Sequence, residues 1–217
     1  MRRRLATLTT VVLSLGALAL ALLGAAAASA AVMSPNLVTN GGAEVGQAAT
    51  DNAQIFAPTG WKTTGQFTAI IYGASGGFPD AAVSAAIGGG KAFFAGGSVA
   101  LSTATQTISV PSSWSRSVKS GVVKAVLSAD LGGYASQTDQ ATVTATFLDK
   151  KGQKAKSFKI GPVTSAARVN ETTLLLRTAT RSVPTSTRKI MVVITATRVA
   201  GSYNDAYADN VSLVLKR

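Results

Sequence analysis

The chain has 217 residues, with 21 Lys and Arg against 9 Asp and Glu, a formal charge of +12, and neither His nor Cys. That excludes a Ser-His-Asp or Cys-His nucleophilic site, a structural zinc site, a haem held by His or Cys, and a disulfide framework. Apolar residues make up 47% and charged residues only 14%, too apolar for a disordered polymer and ample for one hydrophobic core.

The first thirty residues read as an export signal. Arg2, Arg3 and Arg4 form a charged n-region, Leu5 to Ala27 an apolar stretch, and Ala28-Ser29-Ala30 carries the small residues a signal peptidase reads, with cleavage after Ala30. The stretch is also long enough to span a bilayer, so an uncleaved anchor is the competing reading. The Ala-rich end and the lack of a basic stop-transfer flank favour cleavage, and membrane contact is then transient. The paired arginines also suit the twin-arginine route, but the surrounding pattern favours ordinary secretion. No Cys lies near the cut, so a lipid anchor is excluded. The expected product is one domain, residues 31–217, with a charge of +9 after loss of the three arginines, secreted to the bacterial cell surface or beyond.

The rest of the chain reads as strands separated by turns. Glycine turns fall at Asn40-Gly41-Gly42, Gly76-Gly77, Gly88-Gly89-Gly90, Gly96-Gly97 and Gly132-Gly133, and Trp61, following Pro58-Thr59-Gly60 at a strand start, belongs to the core. Ala104, Ile108 and Val110 share one face of a strand, with Gln106 the polar exception, opposite Thr105, Thr107 and Ser109. Pro111-Ser112-Ser113-Trp114-Ser115-Arg116 then has a loop signature that leaves Trp114 exposed. Val122 to Leu127, apolar but for Lys124, and Ile190 to Thr195 have the continuous apolar character of deep central strands. Val143, Ala145 and Phe147 alternate with Thr142, Thr144 and Thr146, Asp149-Lys150-Lys151-Gly152 forms a hairpin tip, and Val211, Leu213 and Leu215 close the chain with period two. No helix of ordinary length is expected. Roughly eight to ten short strands at this spacing indicate an all-β, two-sheet antiparallel sandwich of the immunoglobulin or jelly-roll kind.

Three segments carry a resemblance that chooses the jelly roll. Asn36-Leu37-Val38-Thr39-Asn40-Gly41-Gly42-Ala43-Glu44, followed by Gly60-Trp61, resembles the opening of bacterial carbohydrate-binding modules of the galactose-binding-like group, and Tyr207-Ala208-Asp209-Asn210-Val211-Ser212-Leu213 resembles their last loop and strand. Asp130-Leu131-Gly132-Gly133-Tyr134, with Gln137 and Asp139, is similar to the matching stretch of the F-box-associated glycan-binding domain and its bacterial secreted relatives. The resemblance implies a structural calcium held by residues matching Glu44 and Asp209, with Asn36 and Asn40 as further oxygen donors, because the first and last strands of such a fold lie close. Calcium takes six to eight hard oxygens, which a Gly-rich turn facing an Asp loop can supply. The alternative is that Glu44 accepts backbone N–H bonds in a turn and Asp209 initiates the last strand.

A second constellation suits sugar recognition: Tyr134, Gln137 and Asp139 in one segment, Tyr203, Asn204 and Asp205 in another, with Trp114 as an exposed aromatic. Aromatic rings stack on the apolar face of a pyranose while planar amides and carboxylates fork onto its hydroxyls. The same residues also serve as loop braces in the plainer reading. Lys150, Lys151, Lys154, Lys156 and Lys159 crowd one hairpin, a patch that attracts anionic polymers or an acidic protein partner, or simply keeps the hairpin solvated. The export signal and the absence of nucleic-acid-binding motifs argue against specific nucleic-acid binding. With few acids and no phosphate loop or nucleophile elbow, the chain reads as a non-enzymatic module that recognises a glycan or cell-wall polysaccharide at or near the envelope, with a structural or adhesion protein as the alternative.

Overall fold

The computed structural model describes residues 31–217, one compact unit; the export signal expected in residues 1–30 lies outside the described residues. The eleven strands are β1 (Ala49–Asp51), β2 (Lys62–Thr64), β3 (Thr68–Ser75), β4 (Ala92–Ala95), β5 (Leu101–Ser109), β6 (Lys124–Gly133), β7 (Gln140–Leu148), β8 (Lys154–Ile160), β9 (Thr173–Ser182), β10 (Lys189–Thr197) and β11 (Tyr207–Lys216). Two short helices, α1 (Ala81–Ile87) and α2 (Ser112–Lys119), interrupt them. One sheet runs β1-β3-β4-β11-β6-β9 and the other β2-β5-β10-β7-β8, giving a two-sheet jelly-roll sandwich in which only the β1–β3 pair is parallel. Asp149 to Gly152 forms the β7–β8 hairpin tip, where Asp149 Oδ1 accepts from the Lys151 and Gln153 amides.

Alternation builds the main core. Ala104, Val143, Ala145, Phe147, Ile190, Val192 and Ile194 point inward from one sheet, and Ala125, Leu127, Leu131, Leu213 and Leu215 from the other. Gln106 faces inward among them because its amide satisfies Thr39, accepting from the Thr39 N–H and donating to its carbonyl. β6 and β10 are interior strands of their sheets. β10 and the first half of β6 are buried on one face only, with Met191 and Val193 half-buried on the outer side of β10, Val126 on that of β6, and Val122, just before β6, 58% exposed; Ala129 to Gly133 are buried on both faces. The continuous burial expected of Val122 to Leu127 and Ile190 to Thr195 fails, because no layer covers the outer side of their sheets at those residues and an antiparallel sandwich can leave that side to water.

The segment expected to loop around Trp114 is α2 instead. Trp114 and Val118, four residues apart, share a face that is buried against the main core, and Arg217 lies over the Trp114 ring at 4.9 Å. Trp114 is therefore core and not an exposed aromatic.

A second apolar layer covers the outer face of the six-stranded sheet. Phe93 points outward while its neighbour Phe94 points inward, so all four residues of β4 are buried. Around Phe93 gather Ile70, Tyr72, Phe78, Leu174, Tyr203 and Tyr207, with Val83 and Ile87 of α1 packed on top. Phe93 and Tyr207 meet edge-on at 5.3 Å, as do Phe78 and Tyr203 at 5.3 Å. Asp80 caps α1 by accepting from the Ala82 and Val83 amides, and Gly88 ends it in the left-handed conformation.

The chain enters beside its own end. Val32 and Arg217 exchange two backbone hydrogen bonds, and the Ser34 and Leu37 amides donate to the Leu215 and Leu213 carbonyls.

Candidate functional site

Four loops meet at the start of β11 and enclose a cavity of about 230 Å³ lined by Asn52, Phe78, Tyr134, Gln137, Tyr203 and Asp205, among others. Four of the expected ligand residues thus stand in one wall system although two separate segments supply them. The half-buried Tyr134 ring rests on the Gly76–Gly77 turn, where a Cβ on Gly77 would lie 2.7 Å from the ring. Phe78 belongs to the outer aromatic layer, so that layer forms the cavity floor.

The polar atoms there are unusual in what they lack. The Gln137 Oε1 and Tyr203 hydroxyl are both buried without a hydrogen-bond partner, the Tyr203 oxygen lying beside the Gly97 backbone outside ordinary bonding geometry. Buried polar groups are nearly always paired, and each unpaired one costs about 1–3 kcal/mol. Asp205 is 8% exposed; burial pushes its carboxyl up to about 6 despite the hydrogen bond from the Tyr207 hydroxyl at 2.6 Å, the Asp139 charge adding to the rise and Arg168 opposing it. Burial and Asp205 also push the Tyr203 hydroxyl above its ordinary range.

The remaining expected contacts are braces. Asp139 Oδ1 accepts from the Val199 and Ala200 amides at 2.6 and 3.0 Å, and its Oδ2 from the Asp205 amide at 2.8 Å. Asn204 donates to the Ala196 carbonyl and accepts from the Ala206 amide, and a Cβ on Gly96 would strike its side chain at 2.3 Å. Both are buried and hold the β10–β11 loop in place. Arg168, 2% exposed, does the same for the β6–β7 loop by donating to the carbonyls of Gly133, Ala135, Gln137 and Glu171. Sequence reasoning missed Arg168, Asn52 and Phe78, since nothing local marks them as neighbours of Tyr134.

Glu44 and Asp209 also come together, at the Gly88–Gly90 turn. A Cβ on Gly90 would lie 2.5 Å from Glu44 Oε1, and one on Gly89 2.6 Å from Asp209 Oδ2. Glu44 Oε1 accepts from the Lys91 and Ala92 amides, as the plainer expectation had it. Asp209 lies within β11; its Oδ2 accepts from the Tyr72 hydroxyl at 2.6 Å and its Oδ1 from the Asn210 amide. Burial, with Asp130 and Glu44 nearby, pushes the Asp209 carboxyl up to about 8. Asn210 also donates to Asp130 at 3.0 Å. Asn36 and Asn40 stand apart from this turn's chemistry: Asn36 Oδ1 accepts from the Val38 and Leu213 amides, and Asn40 Oδ1 from the Val45 amide. Their side-chain oxygens are thus already engaged in backbone bonds.

The lysine cluster divides. Lys150 and Lys151 sit in the hairpin turn, Lys159 shares the outer face of its sheet with Thr144, and Lys156 aligns with inward-facing Phe147 at the open edge, as Lys154 does with Leu148 beyond a bulge. All five are exposed.

Fold and loops together define a jelly-roll β-sandwich with a loop-end cavity. Neither a protein-family model nor a curated protein matches the sequence. Among solved structures, the fold is distantly similar to carbohydrate-binding modules. A xylan-binding family 22 domain of Paenibacillus barcinonensis Xyn10C is 11% identical over 76% of this chain and 90% of its own, with a TM-score of 0.42. A family 16 carbohydrate-binding module is 16% identical over 57% and 77%, with a TM-score of 0.37. The enzymatically active domain of tailspike protein 4 from bacteriophage CBA120 is 15% identical over 82% of this chain, with a TM-score of 0.49, but the match spans only 21% of that chain.

Proposed function

We propose that the protein is a secreted, non-catalytic carbohydrate-binding module that acts at or near the bacterial envelope through the loop-end cavity. The observation that carries this reading is the pair of buried, unpartnered polar atoms, Gln137 Oε1 and the Tyr203 hydroxyl, in one cavity with the Tyr134 ring and the Asp205 carboxylate. Both atoms are sealed from solvent in the free protein, so a sugar hydroxyl reaches them once the Gln137 amide and Tyr203 ring turn toward the cavity they line, where Gln137 Oε1 accepts and Tyr203 donates while the Tyr134 ring covers the apolar face of the sugar. At about 230 Å³ the cavity falls below the roughly 300 Å³ at which drug-sized pockets begin, so it takes one sugar unit or a chain end.

Calcium fits at the Glu44–Asp209 turn as a structural ion. The donors given to Glu44, Asp130 and Asp209 are all neutral, namely Tyr72, Asn210 and backbone amides, so the exposed Glu44 and the buried Asp130 and Asp209 carboxylates have no bonded cation among the described residues. Glu44 and Asp209 would hold the ion. Among the described residues no three acidic side chains form a ready cage, so backbone carbonyls complete its oxygen shell. Its role is to fix the α1–β4 turn against β11.

The test is retention of residues 31–217 on a panel of immobilised polysaccharides and cell-wall fractions, with calcium present and salt raised to suppress the +9 background. Retention on one glycan, competed by its soluble oligosaccharide and lost in Tyr134→Ala and Gln137→Ala, is the expected result. Absence of competed retention on every glycan overturns the reading in favour of an envelope adhesion or structural protein.

A further inference from the structure

Four strands end the two sheets: β1 and β9 flank the six-stranded sheet, β2 and β8 the five-stranded one. β1 and β2 have three residues each, and β8 is bulged and holds three lysines in seven residues, all devices that blunt an edge. β9 differs. Its ten residues, Thr173–Ser182, pair with β6 without a register shift, and neither proline nor glycine interrupts them. The Val183 amide, next after the strand, donates to the Val123 carbonyl, so odd-numbered residues turn their backbone groups to β6 and even-numbered ones turn theirs away from it. From Leu176 to Ser182, roughly 23 Å, that edge stands open: Leu176, Thr178 and Ser182 are exposed and Thr180 is half-buried.

Two of the free carbonyls are guarded by arginine. Arg177 Nη1 donates to the Leu176 carbonyl at 2.9 Å, and Arg181 Nη1 to the Thr180 carbonyl at 2.8 Å. Both arginines share a side of β9 with Leu175 and Ala179, which pack against the main core. β8 lies against β9 across the open side of the sandwich, and its Lys156, aligned with inward-facing Phe147, stands on that same inner side. Neither strand contains an acid. Across the ladder, Asp130 opposite Leu176 is buried on the outer side and bonded by Asn210, and Glu171 precedes the strand at its far end.

We propose that the β9 edge receives an extended acidic polypeptide segment, which adds a seventh strand to the six-stranded sheet. Leu176, Thr178 and Thr180 supply the main-chain pairing groups. Charge selects the partner. Carboxylates at alternate positions of the added strand meet Arg177 and Arg181, so each guanidinium exchanges a neutral carbonyl for a charge-assisted, two-pronged bond. The carbonyls released by that exchange accept the incoming amides. The residues between the carboxylates lie on the outer side beside Leu176, which is 61% exposed. The same arginines oppose a second copy, because an antiparallel β9–β9 pair sets the arginines of both strands on one side, and each copy of residues 31–217 carries +9. This surface is separate from the loop cavity and does not rest on the glycan reading.

The test titrates residues 31–217 with the acetylated heptapeptide Glu-Val-Glu-Thr-Glu-Val-Glu, followed by amide NMR shifts and hydrogen exchange. Expected are shifts and slowed exchange at the Leu176, Thr178 and Thr180 amides. The same peptide N-methylated at its valines and threonine keeps its charge but loses the donors that face β9, and should bind about tenfold more weakly or worse. R177Q/R181Q should weaken binding by a similar factor, roughly tenfold, through loss of the charge-assisted bonds. Thr178→Pro removes one outward amide while keeping both arginines and every bond to β6, and should abolish binding with a melting temperature like the parent's. Parent-like binding of the N-methylated peptide overturns the proposal. So do shifts confined to the Lys150–Lys159 hairpin, or equal affinity for a single-stranded oligonucleotide of the same charge.

Discussion

Asp139 offers the sharpest test of how the loop cavity is held. Its carboxylate accepts three backbone amides, from Val199, Ala200 and Asp205. In Asp139→Ala the Asp205 amide is left buried and unpaired, at a cost of about 1–3 kcal/mol. Val199 is 59% exposed, so the amides of Val199 and Ala200 turn to water and forfeit only the net value of each bond, about 0.5–1.5 kcal/mol. The expected loss is then about 2–6 kcal/mol, and at about 2–4 °C per kcal/mol for a domain of this size the melting temperature falls by roughly 4–24 °C. Asp139→Asn retains one acceptor oxygen and should fall between parent and alanine variant. Thermal unfolding by circular dichroism reads the shift. The alanine variant should also lose competed glycan retention below its melting point, although Asp139 does not line the cavity, because Tyr203 and Asp205 are displaced with the loop. A loss under 1 kcal/mol with intact retention would refute the bracing argument.

Other measurements probe separate parts of the structure. Without divalent cations, stability should fall as pH rises from about 4 towards 8, because the folded state holds the Asp209 carboxyl up to about 8 and so retains a proton that the unfolded chain releases. Asp209→Asn should flatten that slope and calcium should oppose it; a pH-independent melting temperature with and without EDTA would count against both. Gly90→Ala should destabilise and weaken any calcium response, since φ is +72° there and the added Cβ meets the Glu44 carboxylate at 2.5 Å; parent-like melting curves would show that the turn yields. Trp114→Ala should cost about 3–5 kcal/mol by chemical denaturation, as expected for a large buried aromatic, yet leave glycan retention unchanged while folded.

The sandwich was legible in the sequence because it is written in period two: Ala104, Ile108, Val143, Phe147, Leu213 and Leu215 alternate as their strands require, and the β7–β8 tip announces itself at Asp149–Gly152. Trp114 misled because a proline and three serines outweigh, by composition, the four-residue spacing to Val118 that buries it. The outer aromatic layer was hidden for the opposite reason. Phe93 and Phe94 are adjacent, and no periodicity says that both faces of one strand will be covered, since the cover comes from α1 and distant loops. Residue type alone does not separate Gln137, which lines the cavity, from Asp139, which braces it; the difference is which backbone amides lie within reach, and that is set by the β10–β11 loop sixty residues away.

The paired termini give the molecule a polarity. β11 runs for ten residues, roughly 33 Å, from Tyr207 beside the cavity to Lys216 beside Met33. A resin, a tether or a fused neighbour joined at either end of residues 31–217 therefore sits at the pole away from the cavity loops, and the cavity points outward from whatever holds the chain. The same proximity makes the backbone nearly circular: a short linker from Arg217 to Ala31, with new ends cut at the solvent-exposed Lys151–Gly152 turn, leaves every sheet pairing intact.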